Sequence, residues 1–173
     1  MSLFSADPLA DVEPLIRSVY AYVAYRIGDG PNAEDVTSEV FERALRFRKS
    51  YDAAKGAPVA WLLGIARRVI ADNRPLELAE PPDSPAPGDL ETDVVRSLTL
   101  ADGLAQLDVR DRELIALRYG ADMTARDIAR MNGLRTNTVE VALHRALTRL
   151  RGHLDESEGD PAAVLFALHP VRI

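Results

Sequence analysis

The chain reads as all-α, arranged as two small helical units. Three observations predict this. Apolar residues recur at helical spacing in segment after segment. Gly and Pro fall between those segments, where they end helices. No run shows the apolar–polar alternation of a half-buried strand.

Taken in order, residues 10–27 place Leu15, Ile16, Val19, Tyr20, Val23 and Ile27 on one helical face. GDGPN at 28–32 is turn chemistry. A second helix is expected over 33–49, with Asn32 as its cap and Glu34 and Asp35 in the first turn, where the helix dipole favours acids. Val36, Val40, Phe41, Ala44 and Phe47 form its apolar side. Residues 50–58 break the pattern, and Pro58 suits the start of a third helix running to about 74. Trp61, Leu62, Ile65, Val69 and Ile70 are its apolar positions, and Arg67 and Arg68 project from it. Residues 75–89 hold five prolines and four acids, the composition of an extended linker. Two more helices are expected over 90–107 and 110–119. The sequence therefore divides into a helical unit over 1–74, a linker over 75–97, a second unit over 98–154 and a tail over 155–173.

The stretch from Met123 to Leu154 carries the sharpest functional signal. Thr124 is placed to cap a short helix, with Asp127 three residues on. Gly133 ends that helix. A second helix is expected over 136–151. Val139, Leu143, Ala146, Leu147, Leu150 and Leu154 form its apolar face. Two short helices about a Gly turn, the second longer and basic, make a helix-turn-helix. The second helix of such a pair fits a major groove about 12 Å wide. The alternative for this stretch alone is an ordinary helical hairpin in a bundle.

Composition narrows the classes. Hydrophobic residues make up 47% of the 173, enough for a packed core. The chain has no cysteine, which excludes disulfides and thiolate metal sites and fits a reducing compartment. No signal peptide and no membrane-spanning stretch are expected, so the predicted location is cytoplasmic, without membrane insertion. The net charge of −6 is unevenly distributed. Residues 75–97 carry net −5 and 155–173 net −3, while 98–154 carry net +2. Four Arg stand against one Glu from Arg135 to Arg151. That stripe predicts weak independent DNA affinity, because affinity tracks the phosphates neutralised.

These features together resemble an extracytoplasmic-function (ECF) RNA polymerase sigma factor of the sigma-70 family. The motifs AEDV, EVF, the Gly56 loop, AWL and IAR are similar to sigma region two. RELIALRY, the IA of the first hairpin helix and TV…LHRALTRLR are similar to region four. The resemblance covers about residues 10–154. It implies binding to RNA polymerase core and to promoter DNA, an anti-sigma factor as partner, and no cofactor. It also implies site residues. Asp35, Ser38, Glu39, Glu42, Arg43 and Arg46 would dock on polymerase. Lys55 in the 50–58 loop, with Trp61, Arg67 and Arg68, would engage the minus-ten element and capture a flipped base. The upstream element would meet Arg135, Thr136, Asn137, Thr138, Glu140, Val141, His144, Arg145, Thr148 and Arg149.

The sequence departs from that family at several points. Glu140 stands where a basic residue is common, and Val141, Ala142 and Leu147 are also uncharged there. Ser38 replaces a frequent Gln. The basic run after the Trp helix is cut short at Pro75. Bland lineage variation accounts for these, and the rival is a sigma-like adaptor or sequestered regulator without efficient promoter recognition. An enzyme is not expected: no HExxH, GxSxG, Walker or Rossmann pattern is present, and His144, His153 and His169 are the only histidines. The tail holds Ala162, Val164, Leu165, Phe166 and Leu168 behind an acidic spacer, and is expected to dock back on one of the units.

Overall fold

The computed structural model describes residues 7–73 and 100–155. Helix α1 spans Val12–Ile27, α2 spans Pro31–Arg46 and α3 spans Pro58–Asp72. Helix α4 is described over 100–106. Helix α5, Val109–Ile115, runs directly into a π-helical turn at Ala116–Gly120. Helices α6, Ala125–Asn132, and α7, Thr136–Asp155, complete the set. No strand occurs among the described residues, in line with the missing alternation. The linker, the first part of the expected 90–107 helix and the docking expected of the tail lie outside the described residues.

Local chemistry sets the helix boundaries. Gly28 and Gly30 take φ values of 94° and 114°, which side-chain-bearing residues rarely adopt. Pro31 then occupies the first helical position, where its missing N–H is no loss. The expected cap at Asn32 is therefore displaced: Gly30 is the N-cap, and its carbonyl accepts from the N–H groups of Ala33 and Glu34. The α-helix ends at Arg46 rather than Lys49, and a 3₁₀ turn at Arg48–Ser50 follows. There the Ser50 hydroxyl donates to the Phe47 carbonyl at 2.8 Å. Pro58 opens α3 as its position predicts.

The expected helix over 110–119 starts at Val109, capped by Asp108, whose carboxylate accepts from the Asp111 N–H at 2.7 Å. Its second half widens into the π turn, closed by Ala121 N–H donating to Ala116 O at 2.9 Å. Gly120 lies in that turn with its Cα against the α1 backbone. A Cβ there would stand 3.0 Å from the Ala21 carbonyl and from Tyr22 Cα.

Helices α1, α2 and α3 bury Val19, Val23, Val36, Val40, Leu62 and Leu63 among themselves. The same cluster continues without a break into Leu114, Leu117, Met123, Ile128 and Val139. The two helical blocks thus share one core across α1 and the π turn. A second cluster joins Leu104, Leu107, Ile115, Ala146, Leu150 and Leu154 and holds α7 to α4 and α5. Each fully buried aliphatic side chain of this kind contributes about 1.5–3 kcal/mol. Arg112 closes the corner: its guanidinium donates to the carbonyls of Leu104, Ala105 and Leu107 at 2.7–3.0 Å, binding the end of α4 and the residue after it.

Candidate nucleic-acid and polymerase interface

The hairpin of α6 and α7 forms as its residues dictate. Thr124 Oγ1 accepts from the Asp127 N–H at 3.2 Å, and its own hydroxyl donates to the Asp127 carboxylate at 2.5 Å. Thr124 is thus the N-cap, with the Asp127 carboxylate holding its hydroxyl in place. Gly133 sits at φ 64° and ψ 30°, the left-handed conformation that ends a helix at least cost. On α7, Val139, Leu143, Ala146, Leu150 and Leu154 are buried, as their spacing requires. The opposite stripe is open. Arg135, Asn137, Thr138, Glu140, Val141, His144, Arg145, Thr148 and Arg149 are all exposed, and Thr136 is half-buried. The structure thus brings nine of the ten predicted upstream-element residues onto α7, with Arg135 immediately before it.

A shallow groove runs between this stripe and the start of α5. Asp108, Arg110, Asn137, Val141, Arg145 and Arg149 line it. At its base Arg149 pairs with Asp111, a carboxylate only 5% exposed. Arg149 therefore braces α7 against α5, and Arg145 stands outward one turn away.

The six residues predicted for polymerase docking fall into two groups. Asp35, Ser38, Glu42 and Arg46 are exposed. Their spacing of three, four and four residues places them in one stripe along α2. Glu39 and Arg43 are half-buried and turned toward α3. Arg43 donates to Glu39 at 2.6 Å and to Asp72 at 2.9 Å, and Asn73 donates to the other Glu39 oxygen at 3.0 Å. These hydrogen bonds raise the Arg43 pKa, that to Asp72 most. Glu39 and Arg43 clasp α2 to α3, a contact with Asp72 and Asn73 that the sequence reading, which gave both residues to polymerase docking, did not resolve.

The predicted minus-ten residues also divide. Lys55 is open, 3.6 Å from Asp52. Trp61 is half-buried, its ring 5.6 Å from that of Tyr51 and tilted by 59°. Tyr51 in turn donates to the Gly56 carbonyl at 3.0 Å, which fixes the 50–58 loop on α3. Arg68 is exposed and lies two turns beyond Trp61 on the same side of the helix. Arg67 points elsewhere: its Nε donates to Glu113 at 2.6 Å and its terminal nitrogen to Asn132 Oδ1 at 3.1 Å.

Glu113 is the centre of that second arrangement. One oxygen takes Arg67, and the other takes the Tyr22 hydroxyl at 2.8 Å together with Arg26. Side-chain exposure is 10% for Arg26, 16% for Glu113 and 30% for Arg67, so the cluster is largely shielded from water. Burial pushes the Tyr22 phenol up, and the two guanidiniums partly offset it. Tyr25, near the same interface, is pushed up to about 12 by burial and then by Tyr119. Sequence reading missed Tyr22, Arg26, Asp111, Glu113 and Asn132. Their partners are 38 to 91 residues away, and no local spacing marks them.

A three-helix block with a charged outer stripe is thus joined to a capped helix-turn-helix with an open polar face. The comparisons specify it further. Residues 12–74 match the Sigma-70 region 2 family and residues 97–150 the Sigma-70 region 4 family. The chain is 31% identical over 154 residues to the ECF RNA polymerase sigma factor SigK of Mycobacterium ulcerans, covering 80% of this chain and 81% of that one. It is 30% identical over 151 residues to SigK of Mycobacterium tuberculosis, with the same coverage. To the ECF RNA polymerase sigma factor BldN of Streptomyces coelicolor it is 30% identical over 146 residues, which span 77% of this chain and 54% of BldN. This chain belongs to the ECF RNA polymerase sigma factors, transcription initiation factors rather than enzymes as a class. No described helix is long and apolar enough to cross a membrane.

Proposed function

We infer that the chain binds RNA polymerase core through the α2 stripe of Asp35, Ser38, Glu42 and Arg46, and directs it to a two-part promoter. The observation that carries this is the open polar side of α7, held by a packed apolar side and a capped partner helix. Such a helix enters the major groove of the upstream element with its first turns. Arg135 and Arg145 meet phosphate, Asn137 and Thr138 reach base edges, and Val141 offers an apolar contact to a thymine methyl. Glu140 accepts from a cytosine amino group, which makes it a selector rather than a defect. Lys55, Trp61 and Arg68 form the minus-ten face around the Tyr51-braced loop. An anti-sigma protein covering these faces fits the family, and the site of action is the cytoplasm, where the template lies.

The docking stripe is tested by pull-down of polymerase core. Glu42→Arg and Arg46→Glu should each cut core capture at least tenfold while leaving helicity intact. Capture equal to the unmodified chain would reject the stripe. Glu39→Arg is the poorer variant, because it breaks the clasp to α3 as well. The adaptor reading is favoured by one feature, the capture of Arg67 by Glu113.

A further inference from the structure

The groove between α5 and α7 has a volume of about 430 Å³ and a cation on each wall. Arg145 comes from α7, together with Asn137 and Thr138, and Arg110 comes from α5, outside the hairpin altogether. Asp108 caps α5 and so fixes where Arg110 leaves that helix. Arg149 reaches across to Asp111 and ties the walls together, and behind them Ile115 and Ala146 share one packed cluster. The two walls therefore hold a set separation before any ligand arrives.

The charges in the groove are unequally committed. Asp111 is engaged by Arg149, and Asp108 accepts from the Asp111 N–H. Arg110 and Arg145 are exposed, and among the described residues neither makes an ion pair. Two guanidiniums on one groove repel each other, and an anion between them relieves that repulsion. The planar fork of donors on each guanidinium matches the oxygens of a phosphate.

The placement along α7 says which phosphate. Asn137 and Thr138 precede Arg145 by two turns, about 11 Å at about 1.5 Å of rise per residue. A major groove is about 12 Å wide. With the first turn of α7 at the base edges, Arg145 stands at the rim, where the sugar–phosphate strand runs, and Arg110 faces the same strand from α5.

We propose that Arg110 is a further promoter contact, which with Arg145 grips the backbone of one DNA strand from the two walls of the groove. This rests on the reading of α7 as the helix that enters the major groove. Backbone contacts set register and orientation. A contact from α5 lies off the α7 axis, so it fixes the tilt of α7 in the groove, which contacts along α7 alone leave open.

Phosphate contacts read no sequence, so a mixed-sequence duplex of about 20 base pairs reports them. Binding to the full chain is titrated by fluorescence anisotropy between about 50 and 200 mM salt. Arg110→Gln should weaken binding about threefold or more at the low end and flatten the log–log salt slope by about 0.9, one released counterion. Arg110→Lys keeps the charge and should keep the slope. Arg145→Gln should match Arg110→Gln, and the double variant should lose about twice the slope, roughly 1.8. Arg17→Gln removes an exposed charge on α1 and should change neither affinity nor slope. An unchanged slope in Arg110→Gln beside a flattened one in Arg145→Gln overturns the proposal and keeps α7 as the groove helix. Unchanged slopes in both reject α7 in that role and the proposal with it. Equal flattening in Arg17→Gln would make the effect one of net charge and would overturn the proposal too.

Discussion

Arg145 and Arg149 stand one turn apart on the same side of α7, yet they meet different neighbours. Arg145 faces the groove without a buried partner among the described contacts, and Arg149 pairs with Asp111 at the groove floor. The family resemblance assigns both to the upstream element. The structure separates their roles, because Asp111 is buried and requires a cation beside it. Arg145→Ala should leave thermal stability unchanged and flatten the salt dependence of DNA binding by about 0.9 in the log–log slope, one released counterion. Arg149→Ala should cost about 1–3 kcal/mol of stability through the stranded carboxylate. Calorimetry and binding titrations across ionic strength check both. Equal effects from the two would contradict the division.

At the scale of the element, most helices were legible because their signals are local. Apolar spacing located α1, α2 and α3, Pro58 marked the start of α3, and Thr124 and Gly133 marked both ends of α6. The start of α2 was misplaced because Gly30 and Pro31 outcompete an Asn side chain for the cap. The π turn was not legible at all. Its cause lies in packing, where Gly120 meets α1, and not in the propensities of Ala116–Gly120. Because α6 supports α7, its cap has a functional reach. Thr124→Ala removes both hydrogen bonds to Asp127 and should destabilise the chain by about 1 kcal/mol. Thr124→Ser should restore most of it, and chemical denaturation measures the difference. A neutral Thr124→Ala would show that tertiary packing alone holds α6.

At the scale of the molecule, the two halves were each readable and their union was not. Heptad-like spacing tells which side of a helix is apolar but not which distant helix covers it. Leu114, Leu117 and Ile128 were legible as apolar, and their place in one core with Val19 and Val23 emerged only in three dimensions. The same holds for Arg67: beside Arg68 it looked like half of a basic pair, and its partner Glu113 is 46 residues away.

Transcription by purified core polymerase, with this chain as the only sigma factor and sheared genomic DNA as template, tests the central claim most directly. Mapped transcript starts should share an upstream and a downstream element at fixed spacing. Changing Asn137 and Thr138 to Ala should erase the upstream element from the set while core binding persists. Starts no different from those of core alone would contradict the account, as would an upstream element untouched by the α7 substitutions.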